Sequence, residues 1–198
     1  MVIVISSPQA VNDEAEIINN LFSEGMNIFH LRKPSDSIDK VEALLEGINP
    51  EYYPKISLHQ YHEMASRYGI KRLHYNKKSR HIAKEEDLAH WKKDKYLLST
   101  SVHSIKSYNA LLEYFDYSFV GPIFDSISKT GYKSGFDKET DVLEDKGAIK
   151  MIAIGGVNFE NMIRALEMGF DGVAVLGIIW QDPRNALTNF KRFHNYVH

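Results

Sequence analysis

The sequence predicts a (β/α)8 TIM barrel, a compact single-domain α/β fold, on three observations. Short apolar runs alternate with helix-spaced patterns almost from end to end, giving about eight βα units. Runs such as Val2-Ile3-Val4-Ile5 and Met151-Ile152-Ala153-Ile154 are apolar throughout, as strands buried on both faces of a parallel sheet are. The 198 residues suffice for one barrel at the short end of that fold's range. A doubly wound open sheet is the alternative. It fits less well, because no Gly-x-Gly-x-x-Gly turn follows the first strand. Residues 1–198 read as a single domain with no linker or low-complexity stretch.

Each element has its own local reason. After the strand at 2–5, Ala15, Ile17, Ile18, Leu21 and Phe22 recur at helical spacing, with Asn12 or Asp13 as the start and Gly25 as the stop. A strand follows at 28–32, then a helix face of Ile38, Val41, Leu44 and Leu45 ending at Gly47. The run 55–58 is strand-like, 61–68 predicts a helix stopped by Gly69, and 72–75 predicts a strand. Lys77, Lys78 and Arg80 read as a solvated basic loop before a helix at 83–91. The strand at 96–101 leads to Ser104, which caps a helix through Leu112. The strand at 117–120 breaks at Gly121-Pro122 into a long polar loop, 125–135, with the chemistry of a cover over a small anion. A short helix at 138–145 and the strand at 151–154 follow. Asn158 caps a helix ending at Gly169, the last strand runs 172–176, and a helix at 186–196 closes the chain.

Composition excludes several classes. Lys plus Arg number 24 against 26 for Asp plus Glu, so there is no basic field for nucleic acid. No apolar run approaches the ~20 residues of a membrane span, and the apolar run at the N-terminus is too short for a signal peptide. There are no cysteines, hence neither disulfides nor thiolate metal sites. The reading is a cytoplasmic enzyme with no membrane and no nucleic-acid partner, compatible with a homo-oligomer.

In a barrel of this class, chemistry belongs at the C-terminal strand ends. Gly155-Gly156 and Leu176-Gly177 stand after the seventh and eighth strands, where backbone N–H groups commonly hold a phosphate. Tight βα turns alone are the competing explanation of the same glycines, and phosphate binding is the favoured one. His30, His59, His74 and His103 lie near successive strand ends. Zinc is set aside because no His-x-x-x-His with a carboxylate appears among them, and His59 and His62 are expected to face solvent or the rim. His103, directly after a strand and before a capped helix, is the candidate acid/base group; bonding the helix start is its alternative role. Arg32 shares parity with Ile28 and His30, so an anionic ligand or a glutamate is expected to pair with it.

In order along the chain, His30-Leu31-Arg32, Ser101-Val102-His103-Ser104, Gly121-Pro122-Ile123-Phe124 with Ser126-x-Ser128-Lys129, Ala153-Ile154-Gly155-Gly156 and Asp171-Gly172-Val173-Ala174-Val175 resemble the thiamine phosphate synthase/TenI superfamily over nearly the whole chain. The resemblance implies a (β/α)8 barrel of thiamine biosynthesis that binds a thiazole phosphate. One branch, the synthase, joins a pyrimidine methyl diphosphate to the thiazole phosphate with Mg2+ and releases diphosphate. The TenI branch shifts a proton to aromatise a thiazole phosphate carboxylate. By this resemblance His103, Arg32 and Lys129 are the catalytic candidates. His30, Ser101, Ser126 and Ser128 contact substrate, and Gly155, Gly156, Leu176 and Gly177 hold phosphate.

The chain departs from the synthase pattern where that pattern holds its metal. Pro34 stands in place of the usual lysine after His30 and Arg32, His59-Gln60 in place of Asn-Asp, and Asn76-Lys77-Lys78-Ser79 in place of Gly-Gln-Glu-Asp. Both Mg2+ carboxylates are thereby lost. Ser-Val-His-Ser at 101–104 resembles the TenI branch. The favoured expectation is a tautomerase that needs no metal or other cofactor. The synthase, with Mg2+ and a pyrimidine diphosphate as second substrate, and a non-catalytic binder of thiamine precursors are the competing readings.

Overall fold

The computed structural model describes residues 1–125 and 147–197, with the side chains of 194–197 left aside. Eight parallel strands close into a barrel in sequence order: β1 (Val2–Ile5), β2 (Ile28–Leu31), β3 (Ile56–Leu58), β4 (Arg72–Tyr75), β5 (Leu97–Val102), β6 (Tyr117–Val120), β7 (Lys150–Ile154) and β8 (Gly172–Val175). By contacts the chain forms two compact units, Val2–His74 with Leu176–His198 and Met1 with Tyr75–Val175.

In the first unit, β1 and β2 pair from Ile3 opposite Ile28 to Ile5 opposite His30. β2 and β3 pair through His30 opposite Ser57, and β3 and β4 through Leu58 opposite Leu73. The helices are α1 (Glu14–Ser23), α2 (Ile38–Glu46), and, near the chain's end, α7 (Gly177–Trp180) and α8 (Ala186–Val197), the numbers α3–α6 belonging to the other unit. The helix-spaced residues Ile18, Leu21 and Phe22 of α1 are buried, as are Phe190 and Phe193 of α8. Each such side chain contributes about 1.5–3 kcal/mol relative to exposure. The Trp180 indole N–H donates to the Ile5 carbonyl at 2.7 Å, tying α7 to β1.

In the second unit, β5 pairs with β6, β6 with β7 and β7 with β8. Val173 N–H donates to the Met1 carbonyl at 2.9 Å. Carboxylates fix the strand entries: Asp116 accepts from Leu98 N–H at 2.7 Å and from Lys92 at 2.8 Å, and Asp171 accepts from Met151 N–H at 2.8 Å. The helices are α3 (Lys77–Ile82), α4 (Glu85–Lys93), α5 (Ile105–Asn109) and α6 (Met162–Glu167).

Four local expectations are corrected. The helix foreseen at 61–68 is only a 3-10 turn, His62–Met64, because Tyr61 enters it at a left-handed φ of 54°. The basic stretch at 77–82 is not a loop but α3, started by the Asn76 side chain accepting from Ser79 N–H at 3.0 Å. The helix capped by Ser104 stops at Asn109. Asp13 does not cap α1 with its side chain; it enters the helix at φ 56°. The helix expected at 138–145 lies outside the described residues.

Candidate active site and histidine cluster

His103 follows β5 directly. Its side chain is exposed, and its Nδ1 lies 2.8 Å from the Gly121 carbonyl oxygen. A carbonyl only accepts, so Nδ1 carries a proton, and in the tautomer this selects Nε2 is the nitrogen with the free lone pair. Gly121 itself is held by its neighbours. Its N–H donates to Val102 O at 3.2 Å, and a Cβ on it would stand 2.0 Å from the Ile154 carbonyl oxygen. The segment beyond continues against β7: Ile123 N–H donates to Ile154 O at 3.0 Å and Phe124 N–H to Gly155 O at 3.1 Å.

Gly155 and Gly156 take φ of 90° and 67°, and a Cβ on either would meet Pro122 or the Phe124 and Asp125 carbonyl oxygens within 2.6 Å. Close packing of the two strand tips accounts for both glycines without a ligand. It also links Gly121, which holds His103, to the turn at 155–156. Ser101 sits on β5 nearby, its carbonyl accepting from Arg80 at 2.7 Å. Arg80 also donates to the Thr100 hydroxyl. Sequence reading dismissed Arg80 with the basic loop; the Asn-x-x-Ser cap at 76–79 was the signal that could have placed it on a helix.

The other unit holds the second cluster. His30 is fully buried, its Nδ1 is 2.8 Å from His59 Nε2, and the His59 ring stacks on His74 at a centroid distance of 4.0 Å. The β3–β4 register, continued one residue past Leu58 and Leu73, sets His59 beside His74. Burial, and secondarily the nearby His74 and Arg72, push His30 well below the usual histidine range. Burial, His74, His30 and Arg32 do the same to His59. His59 and His62 are both half-buried just past β3, which fits the expected place at the rim rather than full exposure to solvent. The His62 Nε2 lies within 3.1 Å of Leu58 O and 3.2 Å of His74 O. Arg32 lies just past the end of β2 and is half-buried; its peptide N–H and carbonyl both bond to the Ser6 hydroxyl. No acidic side chain pairs with its guanidinium among the described residues. Leu176 and Gly177 begin α7, where the first N–H groups of the helix have no intrahelical partner. Ser126, Ser128 and Lys129 lie outside the described residues.

Lys33, one position before Pro34, is 2% exposed and bonded at 2.6 Å to Glu14, so it is committed to an internal ion pair. The donor set does not suit Mg2+. The Gln60 amide accepts from Lys33 N–H at 3.2 Å and donates to the Lys33 carbonyl, which uses it up as a brace on β2. The Ser79 hydroxyl turns back onto the Asn76 carbonyl at 3.2 Å. Mg2+ wants carboxylate oxygens with substrate phosphates, and neither position offers one.

The family model described as thiamine monophosphate synthase matches residues 2–179. A thiamine-phosphate synthase of Bacillus cereus is 24% identical over 185 residues, covering 89% of this chain and 81% of that protein. The one from Anoxybacillus flavithermus is 30% identical over 105 residues, spanning 50% of this chain and 48% of its own length. Among solved structures, a thiamine phosphate pyrophosphorylase from Bacteroides thetaiotaomicron superposes with a TM-score of 0.78 at 25% identity, over 99% of this chain and 96% of that one. The chain belongs to the thiamine monophosphate synthase/TenI family of (β/α)8 barrels.

Proposed function

We propose that this protein acts on a thiazole phosphate of thiamine biosynthesis and moves a proton on it through His103, as a TenI-type tautomerase. The observation that carries this reading is the bond from His103 Nδ1 to the Gly121 carbonyl. It fixes the tautomer and leaves Nε2 to take a proton from the ring carbon and return one at the exocyclic carbon, the two halves of a 1,3-shift. Arg32 supplies a guanidinium for the substrate's carboxylate or phosphate. By the resemblance, the N–H groups of Gly155, Gly156 and Gly177 are candidate phosphate donors, and Ser126, Ser128 and Lys129 are further candidate contacts. No step needs a divalent ion held by oxygens, which agrees with the neutral side chains at Gln60 and Ser79.

The second reading is the synthase, and the names of the relatives favour it: the matched proteins are called thiamine-phosphate synthases. For this chain it requires that condensation and diphosphate release proceed without the two carboxylates. The readings separate on one variant. His103→Asn is expected to lower proton exchange on the thiazole phosphate carboxylate by at least ~100-fold while leaving phosphate affinity nearly unchanged. Undiminished exchange in that variant removes the tautomerase assignment.

A further inference from the structure

The three-histidine cluster is not used by the chemistry proposed above. His30, His59 and His74 each offer one ring nitrogen, and those atoms all lie within 4.8 Å of one another. Among the described residues no other group of three or more His, Asp or Glu side chains converges this way. The three come from adjacent strands of one unit, so the backbone hydrogen bonds of the sheet hold them in register. Ser57, the partner of His30 across β2 and β3, is fully buried, and its hydroxyl has no hydrogen-bond partner. An unpartnered buried hydroxyl at the register position next to His30 calls for a polar partner.

We infer that His30, His59 and His74 form a binding site for a transition-metal dication of the zinc class, with a fourth position open to water or to an oxygen of a bound anion. Imidazole is a preferred ligand for zinc, copper and nickel, whereas Mg2+ and Ca2+ take oxygen. Three protein ligands plus one exchangeable position is the arrangement of a catalytic rather than a closed structural zinc site. His59 is only partly buried, which leaves that position reachable from solvent. Charged groups acting on the cluster include Arg72, beside His30, and Arg32, beside His59, both cationic. They oppose a bare dication and favour one that carries an anionic fourth ligand, a carboxylate or phosphate oxygen. At zinc–nitrogen bonds of about 2.0–2.1 Å, tetrahedral ligands stand about 3.3 Å apart. The 2.8 Å contact between His30 and His59 therefore opens by about half an ångström as its shared proton is displaced.

The test uses the whole chain, stripped of metal and titrated with Zn2+, Co2+ and Mg2+ separately, with and without inorganic phosphate. Expected are one Zn2+ or Co2+ per chain, the visible absorption of four-coordinate Co2+, tighter binding with phosphate present, and no competition from Mg2+. His59→Gln, at the partly exposed ligand, should weaken Zn2+ by more than the ~10–100-fold that loss of a second-shell partner costs. His90→Gln, at an exposed histidine, should not. Circular dichroism and a thermal melt establish that His59→Gln is folded. His74→Asn serves as the second variant, and a Zn2+-induced rise in melting temperature seen in wild type should vanish in both. Unchanged Zn2+ affinity in folded His59→Gln, weakening equal to that of His90→Gln, or absence of Co2+ absorption each overturns the site. Proton exchange through His103 is assayed separately, so the two proposals fail independently.

Discussion

His103 is useful as a base because of what holds its other nitrogen. The carbonyl that fixes it belongs to Gly121, and Gly121 is glycine because the Ile154 carbonyl leaves no room for a Cβ. The motif around His103 was legible in the sequence; the dependence on Gly121 was not, since it spans 18 residues and exists only when β5, β6 and β7 pair. The glycines divide in the same way. Gly156→Ala puts a methyl group 2.5 Å from two carbonyl oxygens at a φ of 67°, and is expected to cost at least ~1–3 kcal/mol in urea denaturation. Gly177→Ala meets nothing nearer than Gln181 at 3.9 Å, and should stay within about 0.5 kcal/mol of wild type. Equal losses in the two variants would contradict the packing account of the turn at 155–156.

Elements were read well where periodicity was long and poorly where polar side chains decided. All eight strands were legible as short runs rich in apolar residues, β1 and β8 without a break and the others despite polar residues such as His30, Ser57, His74 and Ser118. α3 was missed, since no buried residue marks it and its start rests on a single asparagine cap. The histidine cluster was missed because zinc motifs are recognised by close spacing, whereas 30, 59 and 74 meet only through the sheet. α1 and the end of β2 are joined by Glu14 and Lys33, both nearly inaccessible. Burial raises the Glu14 carboxyl, and the bond to Lys33 works against that rise. Lys33→Met leaves the carboxylate without its partner and should destabilise the fold by about 3–5 kcal/mol. The double replacement Glu14→Leu with Lys33→Met should recover most of that loss, measured by chemical denaturation of the three proteins side by side. If the double variant is no more stable than the single one, the ion pair is not what holds α1 to β2.

At the scale of the molecule, the barrel keeps His30, fully buried, and His59, half-buried, as neutral rings. Their protonation falls well below the ordinary value of 6.5. The unfolded chain takes up those protons as pH drops through that value while the folded one does not. Stability is therefore full above about pH 6.5 and declines below it, by up to ~1.4 kcal/mol per pH unit for each ring. Denaturation midpoints of the metal-free protein between about pH 7.5 and 5.5 check this, and a flat profile contradicts it. The family was legible from motif order along nearly the whole chain, and the match over residues 2–179 agrees. The reaction was less so, because both branches share the barrel and differ in a few side chains at strand ends. Those side chains also make the decisive measurement simple. Purified protein is given thiazole phosphate carboxylate alone, and separately thiazole phosphate with pyrimidine methyl diphosphate, each with and without Mg2+. The account predicts isomerisation in Mg2+-free buffer and no diphosphate release under either condition; Mg2+-dependent diphosphate release without isomerisation would contradict it.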